Sequence, residues 1–194
     1  LTEEHISYQL GPRLNAIGRL GDANRGVELL ITQNLSRARI LAAEMDGLNY
    51  QRRLMTGQIL QAASTQIERD PSLLDYEALV LAGHGWHPGI IGVVAGRLAE
   101  RFQRPAVMFS LSDDGPARGS ARSVPGCDIY AALEHTGDLL LRFGGHPGAA
   151  GLALDPANLD AFRKALSRAV AAVWDADAAT LGLQIDAYVS LDEL

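Results

Sequence analysis

A single cysteine, Cys127, rules out an internal disulfide and a cysteine-based zinc site in this chain of 194 residues. Lysine is almost as scarce, since Lys164 is the only lysine among the 17 basic residues. No apolar run approaches the eighteen or so residues that a membrane helix needs. Residues 1–11 lack both a basic start and an apolar h-region, so nothing reads as a secretory signal, and a cytoplasmic location is expected. A net positive charge is also missing. The formal charge of −6 argues against bulk electrostatic attraction to nucleic acid, so any phosphate binding has to be local. Leu1 is not a natural start, and the chain is expected to be a piece of a longer protein.

Arginine supplies the other 16 basic side chains, and its planar fork grips phosphate in a bidentate way, although a GC-rich genome would give the same usage. The charge is uneven. Residues 1–70 balance at eight basic and eight acidic side chains, whereas residues 153–194 carry three basic and seven acidic ones and are not expected to meet a polyanion.

The opening reads as two short helices broken at Gly11-Pro12, then a third capped by Asp22 with Val27, Leu29 and Leu30 turned inward. Ser36 is expected to cap a long helix. In it Ala38, Leu41, Met45, Leu48, Arg52, Met55, Ile59, Ala62 and Gln66 recur at steps of three and four, ending at Asp70-Pro71. Such a helix spans about 50 Å, which suits a connector between two lobes or a helix laid along its own domain.

From Glu77 the rhythm changes to alternating strand and helix. Strands are expected at 78–82, 105–111, 118–124 (or an extended loop) and 151–154, with helices at 88–102, 129–141 and 159–174. The fold class is therefore α/β, a mixed sheet flanked by helices. Residues 183–191 alternate like a further strand.

Four clusters could carry chemistry. In residues 144–151 (GGHPGAAG), side-chain bulk is nearly absent, so backbone N–H groups of Gly144 and Gly145 could approach an anion, with His146 as the functional side chain; taken alone, the pattern is more simply explained by a tight structural turn. In 118–123 (RGSARS), an extended chain would put Arg118, Ser120 and Arg122 on one face, beside Ser123, suited to a phosphate or to a solvated sheet edge. Residues 83–89 (GHGWHPG) form a strand-to-helix turn. His84 and His87 lack a third ligand nearby, so a hydrogen-bonded, buried His87 is expected rather than a metal pair. In 11–22 (GPRLNAIGRLGD), Arg13 and Arg19 bracket Asn15, a mixture of charge and amide that is odd for a structural helix, although a capped surface helical hairpin would also account for it. No set of carboxylates resembles a two-metal centre, and Cys127 has no histidine close in sequence.

Together these clusters, in this order and spacing, resemble the RecJ single-strand-specific exonucleases of the DHH phosphoesterase superfamily. The resemblance covers nearly the whole chain. It identifies residues 1–35 with the end of a DHH catalytic domain, 36–70 with a connecting helix, 71–176 with a DHHA1 domain and 177–194 with the start of a following domain or tail.

The implied parent is a manganese- or magnesium-dependent enzyme of DNA repair and recombination that degrades single-stranded DNA from its 5′ end. Its metal-binding Asp and His residues would lie outside this chain, leaving it inactive alone. Helicase and single-strand-binding protein are implied partners, and a membrane is not. By the same resemblance Ser120 and Arg122 would bind the terminal phosphate. His146, Gly144 and Gly145 would meet the scissile phosphate, and Asn15 and Arg19 would line the cleft between lobes. Two other readings remain: a DHH-type phosphodiesterase for nanoRNA or cyclic dinucleotides, and a non-enzymatic DHHA1 nucleic-acid-binding module. The long connector disfavours the first and the segment before Ser36 the second.

Overall fold

The computed structural model describes residues 2–175. The expectation for 183–191 lies outside them. A wide helical turn, His5–Leu10, runs without a break into α1 (Gly11–Leu20), followed by α2 (Asn24–Ile31) and α3 (Leu35–Arg69). The break expected at Gly11-Pro12 does not occur. Gly11 keeps helical angles and its N–H reaches back five residues to the Ile6 carbonyl, and this wider turn accommodates the proline that has no N–H to offer.

Two further expectations are corrected at this end. Asn34, not Ser36, caps α3, because Asn34 is extended and its Oδ1 accepts the Arg37 N–H at 3.1 Å, while Ser36 already lies inside the helix. Val27 and Leu30 are 55% and 70% exposed rather than inward. The residue of α2 that is buried is Gly26, and a Cβ there would touch Ile17 and Leu14 of α1, so the close approach at Gly26 turns its neighbours outward.

The α3 stripe holds as read through Ile59, with Leu41, Met45 and Ile59 buried. It then slides by one residue to Ala63 and Ile67 instead of Ala62 and Gln66. The first half packs on α1 and α2, the second on α4, and the slip marks the change of partner. Gln66 turns its side-chain amide to the Ala82 carbonyl at 2.8 Å.

The sheet has five strands in the order β1-β2-β3-β5-β4: β1 (Leu79–His84), β2 (Ala106–Leu111), β3 (Ala117–Arg122), β4 (Arg142–His146) and β5 (Ala149–Leu154). The first pair is parallel, joined through α4 (Pro88–Phe102), and the other pairs are antiparallel. His87 starts α4 by accepting the Gly89 N–H on Nδ1, with Pro88 where a missing N–H costs nothing. Only Ile129–Glu134 (α5) of the expected helix 129–141 is α-helical, with one tighter turn after it; α6 spans Leu159–Val173.

Period-two alternation divides the strands between two cores. Val80, Val107, Phe109, Ala117, Ala121, Leu152 and Leu154 join α5 and α6 on one side. Leu79, Leu81, Ala106 and Met108 join α4 and the later half of α3 on the other. The fold is thus an α/β mixed sheet flanked by helices on both faces. The covering is unequal, because α4 packs over β2 and β3 but not over the β5 and β4 end.

Candidate nucleic-acid interface

Strand register assembles the face that α4 covers at β3 and leaves open at β5 and β4. Arg118 pairs with Ala153, which pairs with Arg142; Ser120 pairs with Gly151, which pairs with Gly144; Arg122 pairs with Ala149, which pairs with His146. Directly paired residues share a face, so Arg118, Ser120, Arg122, Arg142, Gly144 and His146 stand on one side of the sheet in three rows. His146 and Arg122 flank Ala149 with two inter-strand spacings between them, about 10 Å from backbone to backbone. A Cβ at Gly144 or Gly151 would meet nothing within 4 Å, so the floor between the rows is open backbone.

The glycine cluster is a hairpin. Gly144 and Gly145 lie in β4, and Pro147-Gly148 makes the turn, which corrects the expectation of a glycine-rich turn entering a strand at Gly151. Arg142–His146 has the composition of a loop, and pairing with β5 makes it a strand. The Nδ1 of His146 accepts the Gly148 N–H at 3.2 Å, which leaves Nε2 to carry the ring proton of the neutral form. His87-Pro88-Gly89 repeats that arrangement at the head of α4. His87 is half-buried, and exposed His84 lies 3.5 Å from Asp113.

Ser120 and Arg122 are in contact, Nη1 donating to the serine Oγ at 3.0 Å and to the Ala121 carbonyl at 2.7 Å. Gly92 on α4 makes room for both. A Cβ there would fall 2.7 Å from the Ser120 Oγ and 2.8 Å from the Arg122 Nη2. Burial, and then the charge of Arg19, lower the pKa of the Arg122 guanidinium from its ordinary value, and an arginine remains protonated all the same.

Arg19 comes from the last turn of α1 and donates to the Gly89 carbonyl at 3.1 Å. Gly89 permits that docking, since a Cβ there would lie 2.4 Å from the Arg19 carbonyl oxygen. Asn15 sits exposed one turn earlier on α1. Arg13 points elsewhere, to Asp46 on α3. Ser123 also stands apart from its cluster, because its hydroxyl donates to the Cys127 carbonyl at 2.7 Å and its N–H to the Gly148 carbonyl, fastening the loop after β3 to the hairpin turn. Cys127 is buried, and that burial raises its thiol pKa.

Sequence reasoning missed Gly92, and it took Gly89 only as the end of the 83–89 turn. Their spacing with Gly96, at steps of three and four along α4, was the available signal of a helix face that must admit close neighbours.

Among the described residues, no three His, Cys, Asp or Glu side chains come together to hold a metal ion. The described residues do not fit a metal centre. Among them, no helix is long and apolar enough to cross a membrane.

The single-stranded-DNA-specific exonuclease RecJ of Bacillus subtilis is 40% identical over 166 residues, covering 85% of this chain and 21% of that protein. The Escherichia coli RecJ is 39% identical, covering 84% of this chain and 30% of its own length. This chain therefore spans less than a third of either relative. The crystal structure of RecJ from Thermus thermophilus in complex with Mn2+ superposes with a TM-score of 0.77 at 33% identity, over 88% of this chain and 25% of that one. A Mg2+ complex of the same protein gives 0.74, over 87% of this chain and 26% of that one. The DHHA1 domain family matches residues 75–172, which hold the whole sheet with α4, α5 and all but the last residue of α6, and the chain belongs to that family.

Proposed function

We propose that this chain is the substrate-binding part of a metal-dependent 5′-to-3′ single-stranded-DNA exonuclease, the lobe that grips the strand while metal ions held elsewhere in the parent protein act on it. The observation that carries this reading is the bare, glycine-floored half of the sheet, with Arg118, Ser120 and Arg122 on one side and His146 on the other. Guanidinium forks, a hydroxyl and an imidazole Nε2–H are all donors, and each suits a phosphate oxygen.

In this reading Ser120 and Arg122 take the terminal phosphate. His146, with Gly144 and Gly145 allowing the backbone close, meets the scissile one and donates from Nε2. Asn15 and Arg19 line the cleft, and Ser123 acts by holding the loop. Residues 1–35 would close a DHH domain, 36–70 connect it and 71–176 form the DHHA1 lobe. The similarity to RecJ proteins crystallised with Mn2+ or Mg2+ supports those ions for the parent. A cytoplasmic setting, with a helicase or single-strand-binding protein alongside, follows from the same reading.

Titration of the chain with single-stranded oligonucleotides in low salt tests the assignment. A 5′-phosphorylated strand is expected to bind about tenfold more tightly than its 5′-hydroxyl counterpart, and Arg122→Ala to abolish the difference. Equal affinities in the unmutated chain would refute the terminal-phosphate site.

A further inference from the structure

Arg142 has no part in holding phosphate, yet it stands across β5 from Arg118 at the far end of the same face. Both pair with Ala153, so two inter-strand spacings, about 10 Å, separate their backbones. Between them lies a cavity of about 420 Å³, walled by the two arginines and floored by Gly144 and Gly151. Small-ligand sites run from about 300 to 1,000 Å³, so the space is large enough to be one. Both arginines are exposed, and among the described residues neither side chain makes a hydrogen bond or an ion pair.

The floor suits a flat ring better than a phosphate. β5 is an inner strand that pairs with β3 on one side and β4 on the other, so its N–H groups are engaged in the plane of the sheet rather than turned up into the cavity. At Gly144 and Gly151 an added Cβ would meet nothing within 4 Å, which leaves smooth peptide surface where other positions carry side chains. Guanidinium planes stack on nucleobases, and stacking tolerates any base because every base has a π-face.

With the terminal phosphate on Ser120 and Arg122 and the scissile phosphate at His146, the nucleoside between the two must cross β5. From the Arg122–Ala149–His146 row the hairpin turn ends the sheet in one direction. In the other, the Gly151 and Gly144 row comes about 7 Å on, and Arg118 and Arg142 close the floor about 7 Å further. We infer that this cavity seats the base of the 5′-terminal nucleotide, laid on the glycine floor between Arg118 and Arg142. The inference rests on the strand-binding reading and adds the place of the ring to that of the phosphates. The first nucleotide is thereby fixed at both ends, without regard to sequence.

Two probes separate ring from phosphate: thymidine 5′-monophosphate, and 2-deoxyribose 5-phosphate, which lacks the base. Titrated into the isotope-labelled 194-residue chain in low salt and followed by amide chemical shifts, the nucleotide is expected to bind about tenfold more tightly than the sugar phosphate. Both probes should move the amides of Ser120 and Arg122, and only the nucleotide those of Gly144 and Gly151. Arg142→Ala, on an exposed position outside both cores, should bring the nucleotide down to the affinity of the sugar phosphate. Arg142→Lys should do nearly the same, because an ammonium keeps the charge but not the plane.

Equal affinities for the two probes would overturn the inference, as would a nucleotide that leaves Gly144 and Gly151 unmoved. Full nucleotide affinity in Arg142→Ala or in Arg142→Lys would overturn it too, the second because charge alone would then suffice and the occupant would be a phosphate. Stillness of Ser120 and Arg122 with both probes would refute the terminal-phosphate site instead. Nucleotide-specific shifts at Gly144 and Gly151, lost in Arg142→Ala, would uphold the base seat in either case.

Discussion

Replacing Gly145 with alanine is expected to break the β4–β5 hairpin and, with it, the placement of His146. A Cβ at this position would fall 2.3 Å from the Ala149 carbonyl oxygen and 2.6 Å from the Ala150 Cα. Both are backbone atoms of the partner strand, so no side-chain rotation relieves the clash, and the strands must separate. The expected cost is about 2–4 kcal/mol, because an overpacked contact against backbone cannot relax as a core side chain does. Unlike an ordinary core lesion, the damage falls on a sheet edge that carries function. Thermal unfolding should move down by several degrees, and affinity for 5′-phosphorylated strands should fall with it. The same substitution at Gly144, where a Cβ meets nothing, should leave the melting temperature close to wild type. Melting both variants by circular dichroism decides the matter, and equal stabilities would show that the hairpin tolerates the intrusion.

Gly119→Val should cost the most stability of any change at a glycine of the sheet interior. Gly119 lies between Phe109 and Leu152 in the sheet, and a Cβ there would come within 2.5 Å of the Phe109 ring and 2.9 Å of Leu152. Phe109 is fully buried and meets Phe162 edge to face at 5.6 Å, so its ring has no vacant space to enter. An added isopropyl group would push strand and helix apart at about 3 kcal/mol, or about 10 °C in melting temperature for a chain of this size. Because Gly119 faces away from the Arg118, Ser120 and Arg122 row, the folded fraction should keep its preference for a 5′-phosphate at low temperature. A melting temperature within about 2 °C of wild type would show that the core repacks freely.

The two variants separate what local sequence could and could not reveal. At Gly119 the signal was legible: small residues Ala117, Gly119 and Ala121 alternate with Arg118, Ser120 and Arg122, and a strand with one tight face and one polar face follows from period two alone. At Gly145 it was not, because residues 142–146 have the composition of a turn, and only pairing with β5 makes them a strand. Similarly, the α3 stripe was readable until its packing partner changed after Ile59. The outward turn of Val27 and Leu30 depends on a close approach at Gly26 that periodicity does not encode.

Taken by itself, the sequence determined the α/β alternation, the long helix, the head of α4 and the residues with chemistry to offer, since each is written in spacings of two, three or four along a single element. The tertiary structure decided which of those residues meet. Arg122 and His146 share a row through Ala149 because β5 inserts between β3 and β4, and Arg19, Ser120 and Arg122 all meet α4 because Gly89 and Gly92 let α1 and β3 close on it. Pairings between distant segments are fixed by the packing of the whole sheet and its helices, and no local period carries them.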